Sequence, residues 1–332
     1  MAHFADPGRP AGPHVKLRKG GRETPRRRLL ADRAARWIVS AGGIAIIASI
    51  LGILIFILLE VWPLTREARV QTVRRLALPA AGKVGALLVD EHRTHAGLLD
   101  ESGEARVVRL EDGRIVYSAN VLAAAAEPPP EGAGAVLLDM KVPPERRQLA
   151  ASTRDGRVVI KNMAFEVSFE GSERRVTPDG TPPVILQLDP EGRPVSEFSA
   201  QLDDEGNATA AGILPEGKLA VVRRSVEENM MTGETTESLA RFEADVPGRV
   251  SAIVLDPDQR NLYAGTSSGD LLWWRLEDGQ PTDLQVLRAG APVTALDLLL
   301  GSRSLVGGQE TGALSGWFAV RQPDERFQLT RI

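Results

Sequence analysis

VSAIVLDPDQRNLYAGTSSGDLLWW (residues 250–274) is matched, at an offset of 43 residues, by VTALDLLLGSRSLVGGQETGALSGW (residues 293–317). The two stretches align without a gap. Val250 pairs with Val293, Ala252 with Ala295, Leu255 with Leu298, Leu262 with Leu305, Gly265 with Gly308, Gly269 with Gly312 and Trp274 with Trp317. Their apolar runs are short and bounded by turn residues, so each copy reads as a set of strands. A repeat of about 40–45 residues built from short strands is the period of a β-propeller blade. One four-stranded blade cannot bury both faces alone, so such units stack around a centre. On this reading Gly269 and Gly312 take a hairpin turn, and Trp274 and Trp317 support packing between blades.

Upstream, the same texture continues. Short apolar runs at 85–89, 106–110, 135–138, 157–160, 184–188 and 219–222 are separated by Gly, Asp, Pro and Glu. Asp112-Gly113, Asp155-Gly156 and Asp278-Gly279 suit hairpins that need positive φ. Residues 151–158 (ASTRDGRV) resemble 265–271 (GTSSGDL), which places an earlier blade there. The distance is not a multiple of 43, so insertions are required; residues 128–130 (PPP) and the polar segment 226–238 are candidates. The residue after each repeat Trp is Arg275 or Phe318, so the Trp-Asp dipeptide of typical WD40 blades is absent. The expected fold class is all-β, a degenerate WD40-like β-propeller, complete or incomplete, tethered to one N-terminal transmembrane α-helix. The length after residue 76 would hold roughly six blades of this period. A two-sheet sandwich has similar strand spacing and is the structural alternative.

The N-terminal part differs sharply. Residues 1–36 hold ten Lys/Arg against three Asp/Glu, while the rest holds thirty against forty-one. From Trp37 to Leu59 no residue is charged. As a helix that run is about 35 Å long, enough to cross a bilayer with some tilt. Trp37 and Trp62 stand at its edges, where indole rings prefer the headgroup layer. The run is longer than a usual signal-peptide core and lacks a small-x-small cleavage pattern, so an uncleaved anchor is expected. Arg26, Arg27, Arg28, Arg33 and Arg36 precede it, and by the positive-inside rule they keep the N-terminus in the cytoplasm. Ala41, Ala45, Ala48 and Gly52 form a stripe on one helix face, where small residues let a neighbouring helix approach. The expected organisation is a basic cytoplasmic arm (1–36), a transmembrane helix (37–62), a linker (63–75) and a propeller-like domain outside the cytoplasm (76–332).

The composition excludes much chemistry. There is no cysteine, and two of the four histidines lie in the basic arm. Residues 265–269 match the G-x-S-x-G nucleophile elbow, but that motif needs a following helix and a later histidine. The following segment reads as a strand, and no histidine follows Ser267. His92 and His95 share a face only on a helix, and their segment reads as strand and solvated turn. Residues 203–207 (DDEGN) are acidic but lack the alternating ligands of a calcium loop. Asn207-Ala-Thr209 fits a glycosylation acceptor. No P-loop or dinucleotide fingerprint occurs, so no cofactor is expected, and binding or assembly is a better class than catalysis.

Residues 26–33 (RRRLLADR), Arg36-Trp37, Gly42-Gly43-Ile44 and residues 60–64 (EVWPL) together resemble the first helix of bacterial phosphate-type ABC transporter permeases. One branch of that family carries a periplasmic WD40-like insertion between its first two membrane helices. The resemblance implies an inner-membrane permease component for phosphate import, with a periplasmic propeller. It implies as partners further permease helices or subunits, an ATPase subunit and a substrate-binding protein. Such permeases have several further membrane helices, and this chain has no second hydrophobic span. If the resemblance holds, the chain is the N-terminal part of a permease, or a truncated or split product. The other expectation is a single-span, membrane-anchored propeller scaffold that binds another envelope protein.

Overall fold

The computed structural model describes residues 26–65, 82–122, 137–145, 147–171, 173–178, 180–229, 231–299, 301–323 and 325–332. The basic arm before residue 26, most of the 63–75 linker and residues 128–130 lie outside them. The chain divides into two compact units, residues 1–74 and 75–332.

In the first unit α1 (Arg26–Val61) is one unbroken helix that passes into a short 3₁₀ turn, Trp62–Thr65. It begins well before Trp37, because the Arg, Leu and Ala of its first turns are strong helix formers. Pro63 carries no N–H and ends the α-helical ladder. Its described side chains are exposed, as lipid-facing ones would be. The stretch Arg33–Thr65 is long and apolar enough to cross a membrane.

The second unit is all-β, with five four-stranded antiparallel sheets in chain order. The first is β1 (Val84–Val89), β2 (His95–Asp100), β3 (Glu104–Arg109) and β4 (Ile115–Asn120). The second is β5 (Leu137–Lys141), β6 (Gln148–Thr153), β7 (Arg157–Asn162) and β10 (Val184–Gln187). A separate hairpin, β8 (Phe165–Glu170) and β9 (Glu173–Pro178), is inserted before β10. The third is β11 (Phe198–Leu202), β12 (Ala208–Ile213), β13 (Leu219–Glu228) and β14 (Thr235–Ala244). The fourth is β15 (Val250–Leu255), β16 (Asn261–Thr266), β17 (Asp270–Glu277) and β18 (Gln280–Arg288). The fifth is β19 (Val293–Leu298), β20 (Ser304–Gln309), β21 (Leu314–Arg321) and β22 (Phe327–Arg331). Each sheet is a simple meander, consistent with a β-propeller-like architecture.

The sequence texture follows from this layering. Middle strands such as β16 and β17 are covered on both faces and read as nearly continuous apolar runs. Outer β18 alternates and is mostly polar. A bulge recurs at the start of the innermost strand, at Val84/Ala86, Leu137/Asp139, Val250/Ala252 and Val293/Ala295. The extra residue bends each strand at the same point. The innermost strands begin at Val84, Leu137, Phe198, Val250 and Val293, so only the last interval equals the sequence repeat. The earlier sheets are lengthened by the β8–β9 insertion, by the extended β13–β14 hairpin over 226–238 and by longer connections. Five sheets among the described residues therefore occupy the length that the repeat alone divided into about six.

Four apolar clusters lie between successive sheets. Leu99, Val107 and Leu149 join the first pair, and Ile160, Leu188 and Phe198 the second. Val221, Leu262 and Trp274 join the third to the fourth, and Tyr263, Trp273, Leu305 and Trp317 the fourth to the fifth. Trp317 is 4% exposed, and its Nε1 donates to Ser315 Oγ at 3.1 Å. Trp317→Ala is expected to cost about 3–5 kcal/mol in denaturant melts, through lost burial plus a cavity. A cost under about 1 kcal/mol would remove the indole from the packing scheme.

Candidate functional site

Sheet faces position everything else, so the contacts between sheets define the site. Buried side chains of one sheet satisfy the backbone of the next. Gln148 Nε2 donates to Leu202 O, while Leu202 N donates to Gln148 Oε1 at 3.1 Å. Gln201 Nε2 donates to Leu255 O at 3.3 Å, and Leu255 N donates to Ser199 Oγ at 3.0 Å. Ser251 Oγ, on the bulge of the fourth sheet, donates to Val293 O of the fifth. Lys141 Nζ reaches Glu197 at 3.2 Å and Phe198 O at 3.0 Å. Lys161 lies 5.4 Å over the Tyr117 ring, joining the first two sheets. Such buried polar groups must be paired, so they fix which sheet follows which.

The turns between inner strands carry a second repeated device. The carboxylates of Asp90, Asp203 and Asp256 each accept backbone N–H groups four residues on, at Thr94, Asn207 and Arg260. At Asp90 burial opposes ionisation, but the donors at His95 and Thr94 prevail and hold its pKa below the ordinary carboxylate value. At Asp256 burial prevails over the Asn261 and Arg260 donors and raises the pKa. These acids organise turns.

Gly269 and Gly312 both lie between the second and third strands of their sheets with positive φ, +83° and +81°. They differ in surroundings. A Cβ on Gly269 would stand 2.9 Å from the Ala291 backbone, whereas one on Gly312 would meet nothing within 4 Å. The same contrast runs across the sheet. Leu271 of the fourth sheet is 1% exposed against the fifth, and its repeat partner Leu314 is 75% exposed. Phe318, Val320 and Ile332 are exposed as well. Asp297 is the polar exception, where the fourth sheet has buried Val254. At the other end of the series Val89 is 47% exposed, although Leu255, at the same position of the fourth sheet's first strand, is 0%. The outer faces of both terminal sheets are thus left partly uncovered.

A cavity of about 250 Å³ lies among the inner strands of the second to fifth sheets, lined by Lys141, Ser199, Ile253, Leu296 and Asp297 among others. Glu145 accepts hydrogen bonds from Gly301 N and Ser302 N, at 3.0 Å for the latter, linking turns of the second and fifth sheets. Two larger grooves lie between outer strands. One runs between the second and third sheets, past Asp203, Glu205, Arg224 and Glu237. The other runs between the fourth and fifth, past Arg275, Arg288, Phe327 and Arg331.

Among the residues singled out in the sequence, the readings of His95 and of the Asn207–Thr209 sequon change. Gly265 ends in β16 and a strand, β17, follows Gly269, so Ser267 sits on a hairpin and not on an elbow. His95 is buried in β2, 5.8 Å from the Phe165 ring, because the inserted hairpin covers the segment that read as a solvated turn. His92 is half-exposed and faces Glu91 at 3.2 Å. Thr209 is buried and donates to Gln259 Oε1 at 2.7 Å, and Asn207 Nδ2 donates to Asp203, so the glycosylation sequon is folded inward. Among the described residues no group of His, Cys, Asp and Glu could hold a metal ion, and no catalytic cluster forms. Ala41, Ala45, Ala48 and Gly52 are exposed on α1, and a Cβ on Gly52 would meet nothing within 4 Å. Arg26, Arg27, Arg28, Arg33 and Arg36 all fall within α1, the side chains of Arg26 and Arg28 lying outside the described atoms. The inter-sheet glutamines and the arginine groove were missed in the sequence, because their partners lie in other sheets.

No protein-family model matches the chain, and no curated protein is similar to it. Among solved structures it is similar to the β-propeller domain of Cps50 (Swd1) from Myceliophteria thermophila. The identity is 13%, the match covers 76% of this chain and 73% of that one, and the TM-score is 0.45. The sheet order itself carries the architecture described here. The chain joins an apolar helix suited to membrane anchoring to an all-β, propeller-like domain.

Gly269→Ala and Gly312→Ala make a matched pair. Both replace a glycine at positive φ, at about 1 kcal/mol. Gly269→Ala is expected to cost at least about 1 kcal/mol more, because Ala291 must move. Equal losses in chemical melts would mean that Ala291 is not pressed against the turn. Gln148→Ala should cost about 2–4 kcal/mol by leaving both polar groups of Leu202 unpaired, and a neutral result in the same melts would discount the staple.

Proposed function

We propose that this protein is a single-span, membrane-anchored scaffold whose propeller-like domain binds another protein of the cell envelope. The N-terminal arm is cytoplasmic and the domain lies outside the cytoplasm, in the periplasm of a bacterial cell. One observation carries this reading. On the outer face of the fifth sheet Leu314 is 75% exposed where its repeat partner Leu271 is 1% exposed, and Phe318 and Val320 on the same face of β21 are uncovered as well. Exposed apolar positions in register with a packed interface mark a place for another protein. The occupant is a partner presenting a β-sheet, since the adjacent interface of the same repeat is sheet on sheet. Trp274, Trp317, Gly269 and Gly312 build the frame that presents this face.

A second reading makes the chain a membrane component of a phosphate-type ABC importer, working with permease subunits, an ATPase and a substrate-binding protein. It is supported by the resemblance around residues 26–64 and by the exposed stripe Ala41–Gly52, which suits packing within a helix bundle. One helix encloses no polar path, so transport itself would belong to the partners.

The native chain has no cysteine, which permits a clean test. Leu314→Cys should react slowly with maleimide in native membranes and rapidly once detergent purification removes the partner. Rapid labelling in both preparations would refute the scaffold reading. A bifunctional cross-linker at the same position would then identify the neighbour: a transporter subunit would favour the second reading, any other envelope protein the first.

A further inference from the structure

The groove between β18 and β22, about 940 Å³ in volume, is lined by Arg275, Arg288, Arg326 and Arg331. Among the described residues lining it, Asp283 is the one acid. This is a departure from the surroundings, because the chain beyond residue 36 carries an excess of acidic side chains. The architecture does not impose it either. The groove between the second and third sheets is lined by Asp203, Asp204, Glu205 and Glu237, with Arg224 as its one base. The same construction therefore carries opposite charge at two places.

Arg275 and Arg331 are held in ways that leave charge available. Arg275 lies 5.8 Å over the Phe327 ring, and Arg331 lies 5.9 Å over the Trp317 ring. Ring faces orient a guanidinium without neutralising it, and its fork of N–H groups stays ready for a carboxylate. Arg288 is 79% exposed and reaches Asp270 at 2.9 Å with one nitrogen. Between the charges lies apolar surface. Leu287 shares the face of β18 that carries Gln285, and Phe327 is 39% exposed across the groove. Gln285 itself satisfies the edge of β22, donating to Phe327 O at 2.6 Å and accepting from Leu329 N at 3.2 Å. The floor is thus closed by an amide, while the walls offer arginines and apolar surface.

We propose that this groove binds an acidic segment of a partner protein, extended and alternating carboxylate with apolar side chains. Its carboxylates pair with Arg275 and Arg331, with Arg288 at the rim, and its apolar residues rest on Leu287 and Phe327. The inference rests on the domain being a protein-binding one, but it concerns a surface distinct from the Leu314 face.

The test uses the full chain purified in detergent and a fluorescein-labelled peptide of alternating glutamate and valine. Arg275→Gln combined with Arg331→Gln should weaken binding about tenfold or more, the loss of roughly one charge-assisted contact. Arg288→Gln, on an exposed side chain, should weaken it severalfold and serves alone if the double variant melts early. Added salt should weaken binding further, whereas Glu237→Gln in the acidic groove should leave it unchanged. A glutamine-valine peptide should not bind. Equal binding by wild type and the arginine variants would overturn the proposal. So would phosphatidylglycerol vesicles binding through these arginines while the peptide does not, which would assign the groove to a membrane surface. Inorganic phosphate as the only binder would reduce it to a simple anion site, which also overturns it. Because the readout is peptide affinity in purified protein, its failure is separable from unchanged labelling at Leu314.

Discussion

The middle strands of these sheets are apolar on both faces, so an isolated sheet would leave one or both exposed to water. Packing between successive sheets is the constraint on which the rest of the domain depends. Apolar area supplies most of the attraction, but it is not directional. Direction comes from the buried amides and hydroxyls. Gln148, Gln201, Ser199 and Ser251 each reach the inner strand of the following sheet. A wrong neighbour would leave those groups buried and unpaired, at about 1–3 kcal/mol each. The staples thus make sheet order specific where the apolar clusters only make it favourable.

The same constraint explains where interaction surfaces arise. Among the described residues the first and fifth sheets each keep a face of the kind that the sheets between them bury. Leu314 and Val89 are the clearest instances, being exposed where Leu271 and Leu255 are not. Outer strands also diverge as sheets fan out, opening grooves whose walls need not be apolar. The pair of grooves with opposite charge follows from that freedom. Side chains there are constrained by solvent and partners more than by the core, so their charge can be set by recognition.

The helix stands under a different rule. In water α1 would expose a continuous apolar surface from Trp37 to Leu59, whereas in lipid its backbone is satisfied within the helix. Association there depends on close approach, and the stripe of Ala41, Ala45, Ala48 and Gly52 offers small side chains on one face. Tethering a domain to a membrane helix raises its effective concentration toward any partner held at the same membrane.

Much of the architecture was legible in the sequence because its signals are local. The 43-residue match between Val250–Trp274 and Val293–Trp317 reflects strand lengths, a bulge and a turn that short stretches encode by themselves. The apolar run of the helix is equally local. Burial of His95 and Thr209 was not legible, because the β8–β9 hairpin and Gln259 that enclose them come from distant parts of the chain. Nor could spacing show that Arg275 and Arg331, with their aromatic partners, converge in one groove, since β17 and β22 belong to different sheets. The sequence by itself determined the strand repeat, the turn glycines and the membrane-length helix, through period, φ preference and hydropathy. Only the tertiary structure decided which polar groups pair between sheets and which repeated faces stay open, because both depend on neighbours far away in the chain.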